Sequence, residues 1–354
     1  MSAVKQIKVG IIGCGVIAPC HIGSYLKLPE VRVVHLCDKV PAKAEKLAKE
    51  YGIGKVSQDY KELLADPEVD AVSFCTAHGS HSQIAVDALN AGKHVICEKS
   101  LASSKEKLDA MLEAARRHPG LVFSGVFQHR FDLGYNYVRK IIADGVFGRM
   151  LTANLNVLCL RTNEYYNADA WRGTWAEEGG AVLINQSIHF IDMISWLMGG
   201  VESVAACYAN LNHQGVIECE DTAAAALVYK NGALGTISAT SASPIAWEPT
   251  MSFNGTAGSM DVRNGELLRI DFKDKALEEK IRSGFQEIKE EGESLIKSKD
   301  YYGYGHPQQM DNFIKAIREG SPLKVSVESA AHAPDIVLSI YESHNTGKRV
   351  RITH

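Results

Sequence analysis

The chain has 354 residues, 45% hydrophobic and 23% charged, with a formal net charge of −4. That length suits two domains, and the composition is ordinary for a globular protein. The absence of a basic surplus argues against nucleic acid as a partner, and no apolar stretch approaches the roughly 20 residues of a bilayer-spanning helix.

The start, MSAVKQIKVGIIG, runs directly into a predicted strand, Lys8 to Ile12, so no signal peptide is expected. Gly13-Cys14-Gly15-Val16-Ile17-Ala18 follows with the spacing G-x-G-x-x-A, and a helix is predicted from about residue 17 to 27. Gly13 permits a tight turn, Gly15 lets backbone approach a pyrophosphate, and small Ala18 lets helix and strand pack closely. The helix N-terminus offers N–H groups and a positive dipole end to the anion, with Val16 and Ile17 beside it. A second strand, Val31 to Cys37, ends in Asp38, where a carboxylate can accept from both ribose hydroxyls. Asp38 would repel a 2′-phosphate, which favours NAD over NADP; Lys39 beside it could accommodate one.

Helices Pro41 to Tyr51 and Tyr60 to Leu64 come next, then strand Asp70 to Thr76, helix Ser82 to Asn90 with Gly92 past its end, and strand His94 to Cys97. Ser103 and Glu106 have capping-box spacing for a helix from Lys105 to Arg117, and Leu121 to Phe127 reads as the next strand. This alternation predicts an α/β fold with a doubly wound parallel sheet over residues 1–126. Ligands of such sheets bind beyond the carboxyl ends of the strands, which is where Asp38, Thr76, Glu98 and Lys99 fall. Gln128 and Arg130, just past the last strand, are expected to reach the same crevice.

From 127 to 354 the pattern changes. Helix Leu133 to Asp144 precedes longer, alternating strands: Met150 to Leu160, Val201 to Leu211, Asp221 to Lys230, Ala233 to Ser241 and Thr250 to Asn254. Asn231-Gly232 is a hairpin signal between two of them. The expectation is an α+β domain with a large, mainly antiparallel open sheet that carries the substrate-side residues. Residues 273–299 are charge-rich and read as an exposed helical excursion. Helices Pro307 to Glu319 and Val327 to Glu342 and a strand Arg349 to Thr353 close the chain. The cysteines at 14, 20, 37, 75, 97, 159, 207 and 219 form no C-x-x-C pair. They read as reduced thiols of a cytoplasmic protein, and without metal-ligand spacing no metal is expected.

Three groups could carry chemistry in this second region and at Lys99. In Gly179 to Asp192, two glycines precede an apolar helix whose Asn185, His189, Asp192 and Trp196 fall on one face. His189 reads either as a satisfied core histidine or as an acid/base. Lys99 reads either as a solvated surface lysine or, partly desolvated beside a nicotinamide, as a proton exchanger. Trp171-Arg172-Gly-Thr-Trp175 offers an aromatic wall and a guanidinium for a sugar ring or an anion, or else a core tryptophan with a salt-bridged arginine.

The stretches GCGVIA, VDAVSFCTAHGSHSQIAVDALNAGKHVICEKS, GGAVLINQSIHFID, NGTAGSMDV and GHPQQMDNFIKAIREGSP together resemble the Gfo/Idh/MocA family of NAD(P)-dependent oxidoreductases over nearly the whole length. The resemblance implies that Lys99 stands near nicotinamide and substrate and that His189 exchanges the substrate proton. It places Glu98 at the cofactor site, Thr76 and His81 along the cofactor crevice, and Asp38 at the ribose. Ser100 stands where the family usually has proline, as does Ala77, and Asn185 stands where many members have aspartate. Asn185-Gln186 with the WRGTW stretch upstream looks like the branch acting on UDP-N-acetyl-amino-sugar uronates. The implied activity is hydride transfer between nicotinamide and a ring carbon of a sugar, cyclitol or nucleotide sugar, with Arg130, Trp171, Arg172, Asn185 and Gln186 around the substrate. A homodimer or homotetramer is implied. The alternatives are a dinucleotide-binding sensor without turnover and a related fold running elimination or hydrolysis through transient oxidation.

Overall fold

The computed structural model describes residues 6–293 and 305–354. The chain divides into two compact units. One runs to Phe131 and takes back a later segment ending at Ala331; the other begins at Asp132 and includes His332–His354.

In the first unit six strands, β1 (Ile7–Ile12), β2 (Val31–Cys37), β3 (Lys55–Ser57), β4 (Ala71–Phe74), β5 (His94–Cys97) and β6 (Phe123–Gly125), form a sheet in the order β3-β2-β1-β4-β5-β6. All its paired strands run parallel. The intervening helices are α1 (Ala18–Tyr25), α2 (Pro41–Tyr51), α3 (Tyr60–Ala65), α4 (His78–Asn90) and α5 (Lys105–Arg117). The strand order reverses between β1 and β4, the switch point at which doubly wound sheets bind ligands. Val9, Ile11, Val72, Phe74, Val95 and Ile96 are buried completely, because helices cover both faces of a parallel sheet.

A single boundary at 126 does not describe this unit. Helix Gly305–Glu319 sends Met310, Phe313 and Ile314 into the same core as Val9, Ile11 and Ile22. Fully burying each such side chain contributes roughly 2 kcal/mol, and the apolar spacing of that helix is what seats it far from its sequence neighbours. Two local details also differ from expectation. Helix α4 begins at His78, four residues early, and the cap of α5 is Ser104, whose hydroxyl accepts from Lys107 N at 3.3 Å.

In the second unit eight strands, β7 (Met150–Leu160), β8 (Val201–Ala209), β9 (Thr222–Tyr229), β10 (Leu234–Thr240), β11 (Ala242–Gly255), β12 (Gly258–Arg263), β13 (Glu266–Phe272) and β14 (Val350–Arg351), lie in the order β13-β12-β11-β7-β10-β9-β8-β14. Only the β7–β10 pair is parallel. Along β7, Ala153, Leu155, Val157 and Cys159 are buried while the residues between them are not, the two-residue alternation of a sheet covered on one face. The Asn231-Gly232 hairpin joins β9 to β10 as expected. A second Asn-Gly pair, Asn264-Gly265, joins β12 to β13 with φ of 50° and 78°. Positive φ at both turn residues matches the twist of the flanking strands, so this dipeptide is a readable signal for two strands that the alternation alone does not show.

Helices α6 (Leu133–Ala143), α7 (Asn163–Asn167), α8 (Ile188–Met198) and α9 (Lys275–Glu293) belong to this unit. The charged segment is helical over α9 and mostly exposed, yet it is anchored: Ile281 and Phe285 are buried, and Phe285 meets Tyr137 of α6 edge-on at 5.0 Å. Residues 294–299 of the segment lie outside the described residues.

Candidate active site

The dinucleotide turn is built at the end of β1. Gly13 has φ +89°, and a Cβ there would sit 2.8 Å from the Cys75 carbonyl group, so only glycine fits. Its N–H donates to Cys37 O at 2.8 Å. A Cβ on Gly15 would meet nothing within 4 Å, so the space beside this backbone is open to a ligand. Val16 is exposed, Ile17 is half-buried as the residue preceding α1, and Ala18 is fully buried where α1 begins. Asp38 is fixed in place: Cys14 N donates to one carboxylate oxygen at 2.7 Å and Val40 N to the other at 2.8 Å. Gln128 is buried in the turn Gln128–Phe131, and its Oε1 has no hydrogen-bond partner among the described residues. A left-handed glycine, an open glycine, a helix start, an oriented carboxylate and an orphaned buried acceptor fit a dinucleotide.

Glu98 and Lys99 follow β5. Glu98 is buried, and its Oε1 accepts from His21 Nε2 at 2.8 Å and lies 3.8 Å from His306 Nε2. Its Oε2 accepts from the Lys99 backbone N at 3.1 Å. His21 in turn meets Ser73 Oγ through Nδ1 at 2.6 Å. Burial alone would raise the Glu98 carboxyl; the hydrogen bonds and charge of His21 and His306 outweigh it and hold the group well below the usual range. His306 shifts the other way: burial lowers it, but bonding to Cys20 and Glu98 raises it. A persistent carboxylate therefore anchors the backbone of half-buried Lys99, and the Lys99–Ser100 peptide is cis.

Thr76, two residues past β4, is half-buried, with Oγ1 accepting from Ser80 Oγ at 2.8 Å. His81 is completely buried, with Nδ1 2.7 Å from Ser100 O and Nε2 3.0 Å from Thr76 O. Its ring ties two loop carbonyls together instead of facing a crevice directly. Arg130 is likewise buried, with its guanidinium donating to Ser329 Oγ at 2.5 Å and Ser329 O at 3.1 Å. Neither His21 nor His306 is singled out by sequence; nothing in their spacing marks two residues so far apart along the chain as neighbours.

In the second unit a turn of π-helix, Val182–Ser187, leads into α8. Glu220 organises its start: the carboxylate accepts from Ala181 N at 3.1 Å, Leu183 N at 3.0 Å and Tyr341 Oη at 2.8 Å. From Val182 to Met198 every residue is buried except Asn185, His189 and Trp196. Asp192, expected on the same face, is instead buried at 1% exposure. Asn185 Nδ2 donates to Glu178 Oε1, and Gly173 N donates to Glu178 Oε2. Gln186 is buried and donates to Tyr165 Oη at 3.1 Å. Arg172 pairs with Asp169, both Nε and one terminal nitrogen lying 3.0 Å from Oδ2, and its guanidinium lies 4.1 Å from the Tyr165 ring centre and 5.4 Å from that of Trp171. Trp175 packs edge-on against Tyr341 at 5.1 Å. A cavity of about 400 Å³ is lined by Tyr166, Asp169, Arg172 and Glu218, among others. Sequence reasoning missed the buried acid Glu178, although an acid directly before a diglycine turn is there to be seen.

Residues 7–126 match the NAD-binding Rossmann fold of an oxidoreductase family, and residues 139–352 match its C-terminal alpha/beta domain. The chain is similar to the WlbA dehydrogenase from Bordetella pertussis, solved in complex with NADH and UDP-GlcNAcA, at 29% identity with a TM-score of 0.88, covering 99% of each chain. It is 24% identical to myo-inositol 2-dehydrogenase of Thermotoga maritima, over 92% of this chain and 93% of that protein. It is 26% identical to D-glucoside 3-dehydrogenase of Escherichia coli, over 98% of each. With its six-stranded Rossmann sheet, its eight-stranded second sheet and both domain matches, the chain belongs to the Gfo/Idh/MocA oxidoreductase family, and its first unit is an NAD-binding domain.

Proposed function

We propose that this protein is an NAD-dependent dehydrogenase acting on a secondary hydroxyl of a sugar, cyclitol or nucleotide-linked sugar ring. The observation that carries the reading is the second unit's helix, buried throughout Val182–Met198 except at Asn185, His189 and Trp196. Polar groups on an otherwise buried helix cost stability unless they serve a ligand or a partner. Bound NAD supplies the hydride acceptor. His189 and Lys99 exchange the proton of the substrate hydroxyl; an imidazole and a partly desolvated ammonium can both do so near neutral pH. Asn185 and Gln186 orient the ring, and Trp171 and Arg172 form a stacked aromatic–guanidinium surface beside them. Arg172 shares its charge with Asp169, so an anionic substrate group would compete for a guanidinium already in place. Arg130, buried and bonded to Ser329, supports the chain beyond β6. Asp38 is poised for the adenosine ribose, with Thr76 and Gln128 along the cofactor and His81 holding the Thr76 and Ser100 carbonyls.

The similarity to a protein solved with UDP-GlcNAcA supports a nucleotide-linked amino-sugar uronate as the first substrate to try. Leu151, Leu160, Leu234 and Leu268, exposed on strands of the second sheet, support a homo-oligomer that covers them. Eight thiols without a disulfide support a reducing, cytoplasmic setting. Among the described residues no helix is long and apolar enough to cross a membrane.

The test is absorbance at 340 nm with NAD⁺ or NADP⁺ and a panel of UDP-amino-sugar uronates, glycosides and cyclitols. Turnover with NAD⁺ on a panel member is expected. His189→Ala is expected to lower kcat by about 10²–10⁴-fold while leaving NADH binding nearly intact. Wild-type turnover in that variant would remove the histidine from the reaction.

A further inference from the structure

Glu178 is 1% exposed and lies outside the proton-transfer and cofactor groups. One carboxylate oxygen accepts from Gly173 N, inside the Trp171–Trp175 loop, and the other accepts from Nδ2 of half-buried Asn185, on the π turn. We propose that Glu178 is a positioning residue that joins these two substrate motifs and sets which edge of the Asn185 amide faces the substrate. This rests on the dehydrogenase reading above.

An ionised carboxylate has only acceptors, so it can be met only by the NH₂ edge of an amide. With Nδ2 directed to Glu178, the Asn185 carbonyl oxygen takes the opposite side of the amide. Asn185 thereby directs its acceptor away from Glu178, to the side where a substrate hydroxyl can donate to it. The same geometry explains the amide at 185 where many members of the family carry an acid. An aspartate there would set two carboxylates against each other inside a nearly dry site, and one would have to take up a proton. Glu178 holds the loop through Gly173 N and the helix through Asn185 at once, so displacing one displaces the other.

The experiment exchanges the two groups. In Glu178→Gln the oxygen of the introduced amide accepts from Gly173 N, leaving its NH₂ facing the Asn185 NH₂. Asn185 then turns over and offers a donor to the substrate. The expected result is a kcat about tenfold or more below wild type, with a smaller change in KM. In the double variant Glu178→Gln/Asn185→Asp, the introduced amide donates to the introduced carboxylate, and an acceptor faces the substrate again. Its kcat is expected to return to within about threefold of wild type. A second readout needs no turnover: ¹⁵N-asparagine labelling, with the Asn185 side-chain amide identified by its loss in Asn185→Asp. In wild-type holoenzyme with NADH, one proton of that amide is expected to exchange slowly and resonate downfield, and both features should vanish in Glu178→Gln. An unchanged Asn185 amide in Glu178→Gln, or a double variant as impaired as the single one, overturns the proposal. If Glu178→Gln does not fold, the double variant decides: recovery of folding supports an exchangeable pair, and failure overturns it. If wild type turns over nothing in the panel, the dehydrogenase reading fails, and the amide signal alone still decides whether Glu178 sets the orientation of Asn185.

Discussion

Two buried carboxylates, one preceding Lys99 and one at the start of the helical stretch that leads to His189, are held in opposite ways. Glu98, next to Lys99, has His21 at 2.8 Å and His306 at 3.8 Å, and stays well below the usual carboxyl range despite its burial. Glu220, at the entry to the helix of His189, has no cation among its hydrogen-bond donors: it accepts from two backbone N–H groups and a tyrosine hydroxyl, and burial pushes it up to about 7. Burial penalises both charges alike; what differs is whether an imidazole is near enough to compensate.

The most forceful way to break this contrast is to remove the imidazole nearest Glu98. His21→Leu leaves a buried charge with weaker compensation and should cost about 3–5 kcal/mol of unfolding free energy at pH 7. Denaturant titration measures it, and a loss below about 1 kcal/mol, the net worth of one ordinary hydrogen bond, would mean Glu98 is satisfied without His21. In wild type this depressed carboxyl contributes stability that is present above its unfolded value and is lost as pH falls through the folded one.

Glu220 runs the other way. Its raised value means that the folded state holds the proton longer than the unfolded chain. Its contribution is therefore full below the ordinary 4.5 and is lost as pH rises towards about 7. That shift corresponds to about 3 kcal/mol across the window. Glu220→Gln, which cannot titrate, should flatten the fall in stability between these pH values. An equally steep profile in the variant would assign the slope to other groups.

Smaller changes sharpen the comparison. Tyr341→Phe removes the hydroxyl that donates to Glu220 and should cost about 1–2 kcal/mol, with the loss growing as pH rises and the carboxylate forms. Ser73→Ala removes the contact that orients His21 from its far side and should cost about 1 kcal/mol, through the loss of one hydrogen bond. Thermal unfolding at several pH values separates the two: the Tyr341 effect is expected to depend on pH across the Glu220 window, and a pH-independent loss would count against the cap.

Much of this was legible in the chain itself. The glycine spacing at Gly13 to Ala18, the acid at Asp38 and the alternation of short apolar strands with helices point to the Rossmann sheet, since each feature is local and its geometry leaves few alternatives. Asn231-Gly232 marks one hairpin, and Asn264-Gly265 carries an equal signal for another. The candidate residues Lys99, Asn185 and His189 could be chosen from their motifs. The partners that support them could not. Glu98 stands next to Lys99 in its motif, but the His21 and His306 that hold it come from a helix and a returning helix, and Glu178 lies before the π turn that carries Asn185.

The sequence by itself determined what neighbours along the chain can decide: the elements, the dinucleotide turn, the family and the polar positions on a buried helix. Tertiary structure alone decided which buried carboxyl stays charged, which imidazole is a tie and not a ligand-facing group, and which edge of an amide is held. Those outcomes depend on desolvation and on hydrogen-bond partners brought together from distant parts of the chain, and no local pattern encodes them.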